Sequence, residues 1–146
     1  SRNDVHIEDI IDIFAADRKQ LKDLIREYLE KGGIVVCDRY REANLIHQLV
    51  DFDGEEWEEK LEYIKSVDDD LPDADVVFYL DISPQTARER LTDKEKDIHE
   101  QDFEYMKKSN LNGQKLAERE GWRVIDGERG KDDIEADLRK VIEDLL

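Results

Sequence analysis

The 146-residue sequence has little that could cross-link or stiffen a chain: one cysteine and two prolines. With Cys37 alone no internal disulfide can form. Its place in the apolar run at 34–37 predicts a small buried thiol in a reducing, cytoplasmic setting. Basic charge is scarce too, with 23 lysines and arginines against 40 aspartates and glutamates, for a net charge of −17. Such a surface repels nucleic-acid phosphates and anionic membranes, so neither is an expected partner. The acidic excess has two readings, a heavily hydrated solvent face or a host whose high internal salt screens self-repulsion. No apolar run approaches the roughly 20 residues of a membrane span, and the opening SRNDVHIED lacks a basic segment leading into an apolar one. The expectation is a soluble, unexported protein, and the length suits one domain over 1–146.

What is present is alternation. From Ile7 to Leu29 apolar residues return at three- and four-residue steps, which predicts one long amphipathic helix, capped by Asn3 or Asp4 and closed by Gly32 and Gly33. IVVC (34–37) then reads as a strand buried on both faces. A helix is expected over 55–66 and a second strand in DVVFYLD (75–81). SPQTARERL opens a helix near Pro84 with a serine cap and a proline in the first turn. A further helix covers about 100–120 and ends at Gly121, WRVID (122–126) is a third strand, and Asp132 caps a last helix to Leu146. Strands alternating with helices predict an α/β fold with a parallel sheet covered by helices.

Ligands of such sheets bind outside the carboxyl ends of the strands. That rule puts Asp38, Arg39 and Tyr40 at the mouth of a site, directly after the strand at 34–37. Arg39 offers a planar fork suited to two phosphate oxygens, and Asp38 an acceptor for a hydroxyl or for water on a magnesium ion. Phe14 and Arg18, four residues apart, share one helix face about 6 Å apart along the axis. A ring and a fork so placed suit a planar base. The plainer alternatives stay open: Asp38 and Arg39 paired with other side chains, Phe14 in the core, Arg18 in solvent.

Taken in order, FAADRKQ (14–20), GGIVVCDRY (32–40), NLIHQ (44–48), DADVVFYLD (73–81), DIHEQDFEYM (97–106) and GWRVIDG (121–127) resemble the thymidylate kinases, most closely their archaeal branch, from near Ile7 to the C-terminus. That family transfers the γ-phosphate of ATP to dTMP with Mg2+, on a P-loop sheet with a lid, and its members often pair as homodimers. The resemblance implies that Phe14 stacks on thymine, Arg18 donates to the base's O4 and Arg39 clamps the substrate phosphate. It further implies Asp38 beside the reacting phosphates and magnesium, Asn44 against the base's N3–H, His47 against the deoxyribose and Gln48 near the base. Thymine offers an acceptor at O4 and a donor at N3; cytosine reverses both, leaving donor facing donor. His6 and His99 share no metal-ligand spacing with His47, so a metal held wholly by protein is not expected.

Two departures limit the likeness. No Gly-x-x-x-x-Gly-Lys-Ser/Thr loop is present: in GERGKDD the glycines 127 and 130 are three apart and Asp132 replaces the hydroxyl residue, so this is not a P-loop. We therefore expect a P-loop nucleoside-monophosphate-kinase-like chain without its P-loop strand, the C-terminal part of a kinase, carrying the acceptor half and inactive alone. In the lid, about 92–100, Ile98 stands where many relatives have arginine. Of the nearby cations Arg88, Arg90, Lys94 and Lys96, Arg90 is the candidate for stabilising the transferring phosphoryl group. The rival expectation is a non-catalytic nucleotide-binding or assembly module built on the same fold.

Overall fold

A computed structural model describes residues 7–91 and 100–146. The chain divides into two compact units, Ser1–Ala74 and Asp75–Leu146.

The first unit is helical among its described residues. α1 (Ile7–Gln20) and α2 (Lys22–Glu30) replace the single helix expected over 7–29. The break falls at Leu21, whose amide reaches only to Arg18 O, at 3.1 Å. α1 carries a buried stripe of Ile11 and Ala15, whereas Leu21, Leu24 and Tyr28 are exposed, so the periodic pattern does not continue as one packed face. Gly32, at φ 74°, and Gly33 close α2 through bonds to Leu29 O and Tyr28 O, as expected.

The run 34–37 is the main correction. It forms no ladder, and Ile34 and Val36 are 60% and 83% exposed. A strand exists only by pairing, and the first unit has no strand among its described residues to pair with. The thiol of Cys37 is accordingly exposed rather than buried.

α3 (Arg41–Gln48) follows, a helix that periodicity did not single out, and then α4 (Gly54–Val67). Trp57, Leu61 and Ile64, at steps of four and three, form the buried stripe of α4. With Ile11, Ala15, Leu45, Leu49 and Leu71 they make the core of this unit, where α1, α3 and α4 pack on one another.

The second unit holds a two-stranded parallel sheet, β1 (Phe78–Asp81) and β2 (Arg123–Asp126), pairing Phe78 with Arg123 through Asp81 with Asp126. Both expected strands are there, shorter than their apolar runs, and the parallel pairing is as expected. Leu80 and Val124 stay exposed, so the sheet is covered less completely than continuous apolar strands imply. α5 (Pro84–Arg90) starts as predicted, Ser83 Oγ accepting from Thr86 N at 3.2 Å. α6 (Glu100–Glu120) packs on β1 and ends at Gly121, φ 70°. Gly113 lets the Tyr79 ring lie against α6: an added Cβ would sit 2.4 Å from its hydroxyl.

α7 (Lys131–Leu145) is capped by Gly130, not by Asp132, which lies in its first turn where its charge complements the helix dipole. GERGKDD thus has a structural role. Gly127 N donates to Asp81 O at 2.8 Å, where a Cβ would come within 2.9 Å of that oxygen. Glu128 accepts from Ser83 N at 2.6 Å and Gly130 opens α7. No described helix is long and apolar enough to cross a membrane.

Candidate functional site

All but one of the expected site residues fall in the first unit. Asp38 and Arg39 occupy the bend before α3 and are exposed. The residues after them are tied down: Tyr40 donates its hydroxyl to Pro72 O at 3.3 Å, and Arg41 pairs with Asp73 and with Glu42. Burial, the largest cause, raises the Tyr40 phenol above its ordinary range. The chain is therefore anchored one and two residues beyond Arg39. Arg39 has φ 59°, the sole described non-glycine residue with positive φ. A left-handed conformation costs an arginine on the order of 1 kcal/mol, and such outliers gather where a side chain must be aimed.

α3 presents Asn44, His47 and Gln48 and packs on α1, which carries Phe14 and Arg18. His47 is half-buried; burial first, and the Arg39 charge second, lower its pKa below the ordinary imidazole value. The second cause places Arg39 near α3. Asn44 is buried, and its Nδ2 is a buried side-chain polar atom without a hydrogen-bond partner. A buried amide donor left open is costly, about 1–3 kcal/mol. A flip about the last side-chain bond exchanges that nitrogen for the amide oxygen.

Phe14 is 49% exposed, so it is not a core ring. Arg18 is not a solvated arginine either: its Nη2 lies 2.6 Å from Asp68 Oδ2 and its Nε 3.3 Å from Oδ1. Asp68 was missed by sequence reasoning. It had a signal, because it extends the buried stripe of Trp57, Leu61 and Ile64 by four residues, an odd place for a carboxylate without a partner.

Arg90 is the exception. It lies in the second unit, where Nη1 donates to Gly127 O at 2.7 Å and Nη2 to Glu128 O at 2.9 Å and Arg129 O at 3.3 Å. Its two terminal nitrogens donate to the loop before α7, and Arg90 holds that loop. The lid at about 92–100 falls almost wholly outside the described residues, as do Lys94, Lys96, Ile98, His6 and His99. Among the described residues no group of three or more His, Cys, Asp or Glu side chains is arranged to hold a metal.

The first unit thus holds an exposed arginine at positive φ just before α3, a half-exposed ring on α1 and, on α3, a buried amide nitrogen without a partner. The sequence model of the thymidylate kinase family matches residues 2–138. Identity is 31% over 138 residues to the thymidylate kinase of Thermosipho melanesiensis, covering 92% of this chain and 68% of that protein. It is 29% over 140 residues to that of Thermosipho africanus, covering 92% and 67%. A probable thymidylate kinase of Methanococcoides burtonii is 31% identical over 140 residues, covering 92% and 68%. The chain belongs to the thymidylate kinase family, and it spans about two thirds of the length of these relatives.

Proposed function

We propose that this chain carries the acceptor-nucleotide half of a kinase that transfers the γ-phosphate of ATP to dTMP. The observation that carries the reading is the buried amide of Asn44, open on a helix that packs on the one bearing Phe14 and Arg18. The N3–H of thymine is the donor that a flipped Asn44 oxygen would accept. Phe14 would stack on the base, Arg18 would reach O4, and Arg39, which has no carboxylate partner among the described residues, would take the phosphate. His47, kept neutral by burial and by Arg39, suits the uncharged sugar. Gln48 closes the base side of α3.

Asp38 is a single exposed carboxylate, a donor set that fits a magnesium ion retaining most of its waters and taking its other oxygens from phosphates. When bound, that ion would neutralise charge on the transferring group. The reading extends to a cytoplasmic protein of the archaeal type whose 146 residues form part of one kinase domain. Its ATP cradle would lie on a segment outside them, so these residues alone would be inactive. Pairing of two copies through the first helices belongs to the same reading. Arg90 is left out of the site, because its terminal nitrogens hold backbone carbonyls.

The test is ADP formation by the full-length protein with ATP, Mg2+ and dTMP, compared with dCMP, dUMP and no acceptor. ADP release that depends on dTMP is the expected outcome. Tight dTMP binding without turnover would favour the non-catalytic binding module, and absence of both would overturn the reading.

A further inference from the structure

We propose that Asp68 is a positioning residue for base selection: its buried carboxylate fixes the plane of the Arg18 guanidinium so that Nη1 addresses a keto oxygen and rejects an amino group. The inference rests on the acceptor-site reading above and deepens it. The pair is side-on, with Nε 3.3 Å from Oδ1 and Nη2 2.6 Å from Oδ2, and the two side chains are 12% and 2% exposed. Two contacts along one edge of a planar fork stop rotation about its last bonds. They use two of the five N–H donors and leave Nη1 outside the pair.

The backbone that carries this carboxylate is itself tied down. Asp68 N donates to Lys65 O at 3.3 Å, and buried Leu71 donates to Asp68 O at 3.1 Å. On the next turn outward, Lys22 and Lys19 pair with Asp70 at 2.8 and 3.5 Å, and Arg26 donates to Asp70 O at 2.8 Å. The segment 68–70 is thereby strapped along α1 and α2, and Arg18 is held from a fixed support.

Neutralising Arg18 also sets the direction in which a nucleotide lies. An unpaired cation beside the base would compete for the phosphate. With its charge balanced by Asp68, Arg18 remains a good donor to a neutral carbonyl but a weak attractor for an anion. Arg39, exposed and without a carboxylate partner among the described residues, is left to take the phosphate. The buried Asn44 Nδ2, without a partner, marks the second group that a base edge would complete. A donor fixed in place cannot swing away from the exocyclic amine of cytosine, so the mismatch is felt in full.

The test is the ratio of dissociation constants for dCMP and dTMP, measured by calorimetry on the full-length protein. Asp68→Asn is expected to lower that ratio by about tenfold, as a freed guanidinium turns from the clash. Loss of stability alone would scale both ligands together and leave the ratio unchanged. Adding Asp68→Asn to Arg18→Ala should change the ratio no further, because Asp68 acts through Arg18. Should Asp68→Asn not fold, Asp68→Glu keeps the ion pair but shifts it by one methylene, and it too should lower the ratio. An unchanged ratio in the folded Asp68 variant, with Arg18→Ala still losing selectivity, overturns the role of Asp68 and leaves the acceptor reading standing. No preference for dTMP in the unsubstituted protein overturns both.

Discussion

Replacing Gly113 by alanine sets two known effects against each other in the second unit. In the interior of α6 an alanine is favoured over glycine by about 1 kcal/mol. An ideal Cβ at this position would lie 2.4 Å from the Tyr79 hydroxyl oxygen and 2.6 Å from Cε2 and Cζ, well inside contact distance. The ring has little freedom to retreat: its hydroxyl donates to Asn110 O at 3.2 Å, and it leans on Trp122 with centroids 6.5 Å apart. Asn110 is in turn bound to Asp81 Oδ1 at 3.0 Å and Ile82 O at 3.1 Å. Overpacking costs about 1–3 kcal/mol, and displacing the hydroxyl forfeits roughly 1 kcal/mol more. Steric cost wins, for a net destabilisation of about 1–3 kcal/mol. For a chain of this size that lowers Tm by roughly 2–4 °C per kcal/mol. The assay is thermal unfolding by circular dichroism, with the near-ultraviolet signal of Tyr79 and Trp122 followed alongside. In a Tyr79→Leu background the clash is removed, and the same substitution should become neutral or stabilising by up to about 1 kcal/mol. A Gly113→Ala protein that melts at or above the parent, or that loses as much without the ring, would refute the argument.

Arg39→Ala in the full-length protein should weaken dTMP far more than thymidine, by about 1.5–3 kcal/mol, since only the nucleotide brings the anion; equal losses would remove Arg39 from the phosphate. The His47 titration, followed by NMR, should lie below the ordinary value of 6.5 and rise only part of the way in Arg39→Ala, because burial is the larger cause. Since the folded pKa is depressed, the unfolded chain binds the proton more tightly. The stability contributed by His47 is therefore complete above 6.5 and is lost as pH falls through the folded value. A His47 pKa insensitive to residue 39 would separate Arg39 from α3. With a net charge of −17, Tm should rise between 0.1 M and 1 M potassium chloride as the Debye length shrinks from about 10 Å to about 3 Å. An unchanged Tm counts against the high-salt-host reading.

The parts of this fold that were legible in the sequence are those whose cause is local. Ser83 followed by Pro84 starts a helix wherever it stands, Gly121 and Gly32 end helices because they accept positive φ, and the two apolar runs near 78 and 123 find each other as parallel strands. The run at 34–37 carries as strong a strand pattern and forms none, because pairing is a property of two segments and not of one. Arg18 and Asp68 show the same limit at the site. Each sits in phase with a buried stripe, Ile11–Ala15–Arg18 on α1 and Trp57–Leu61–Ile64–Asp68 on and just past α4, so each alone looks like a fault in an amphipathic helix. A charge in phase with an apolar stripe must be neutralised where it is buried, and the cheapest neutraliser is an opposite charge in phase on a helix packed alongside. Two such faults of opposite sign on α1 and α4, which do pack together, therefore predict their own pairing. What that rule cannot supply is why an arginine, with donors to spare, is used where a lysine would neutralise as well; on the acceptor-site role proposed for Arg18, the Nη1 left outside the pair supplies the reason, since a fork held along one edge still has its other nitrogen to offer a ligand.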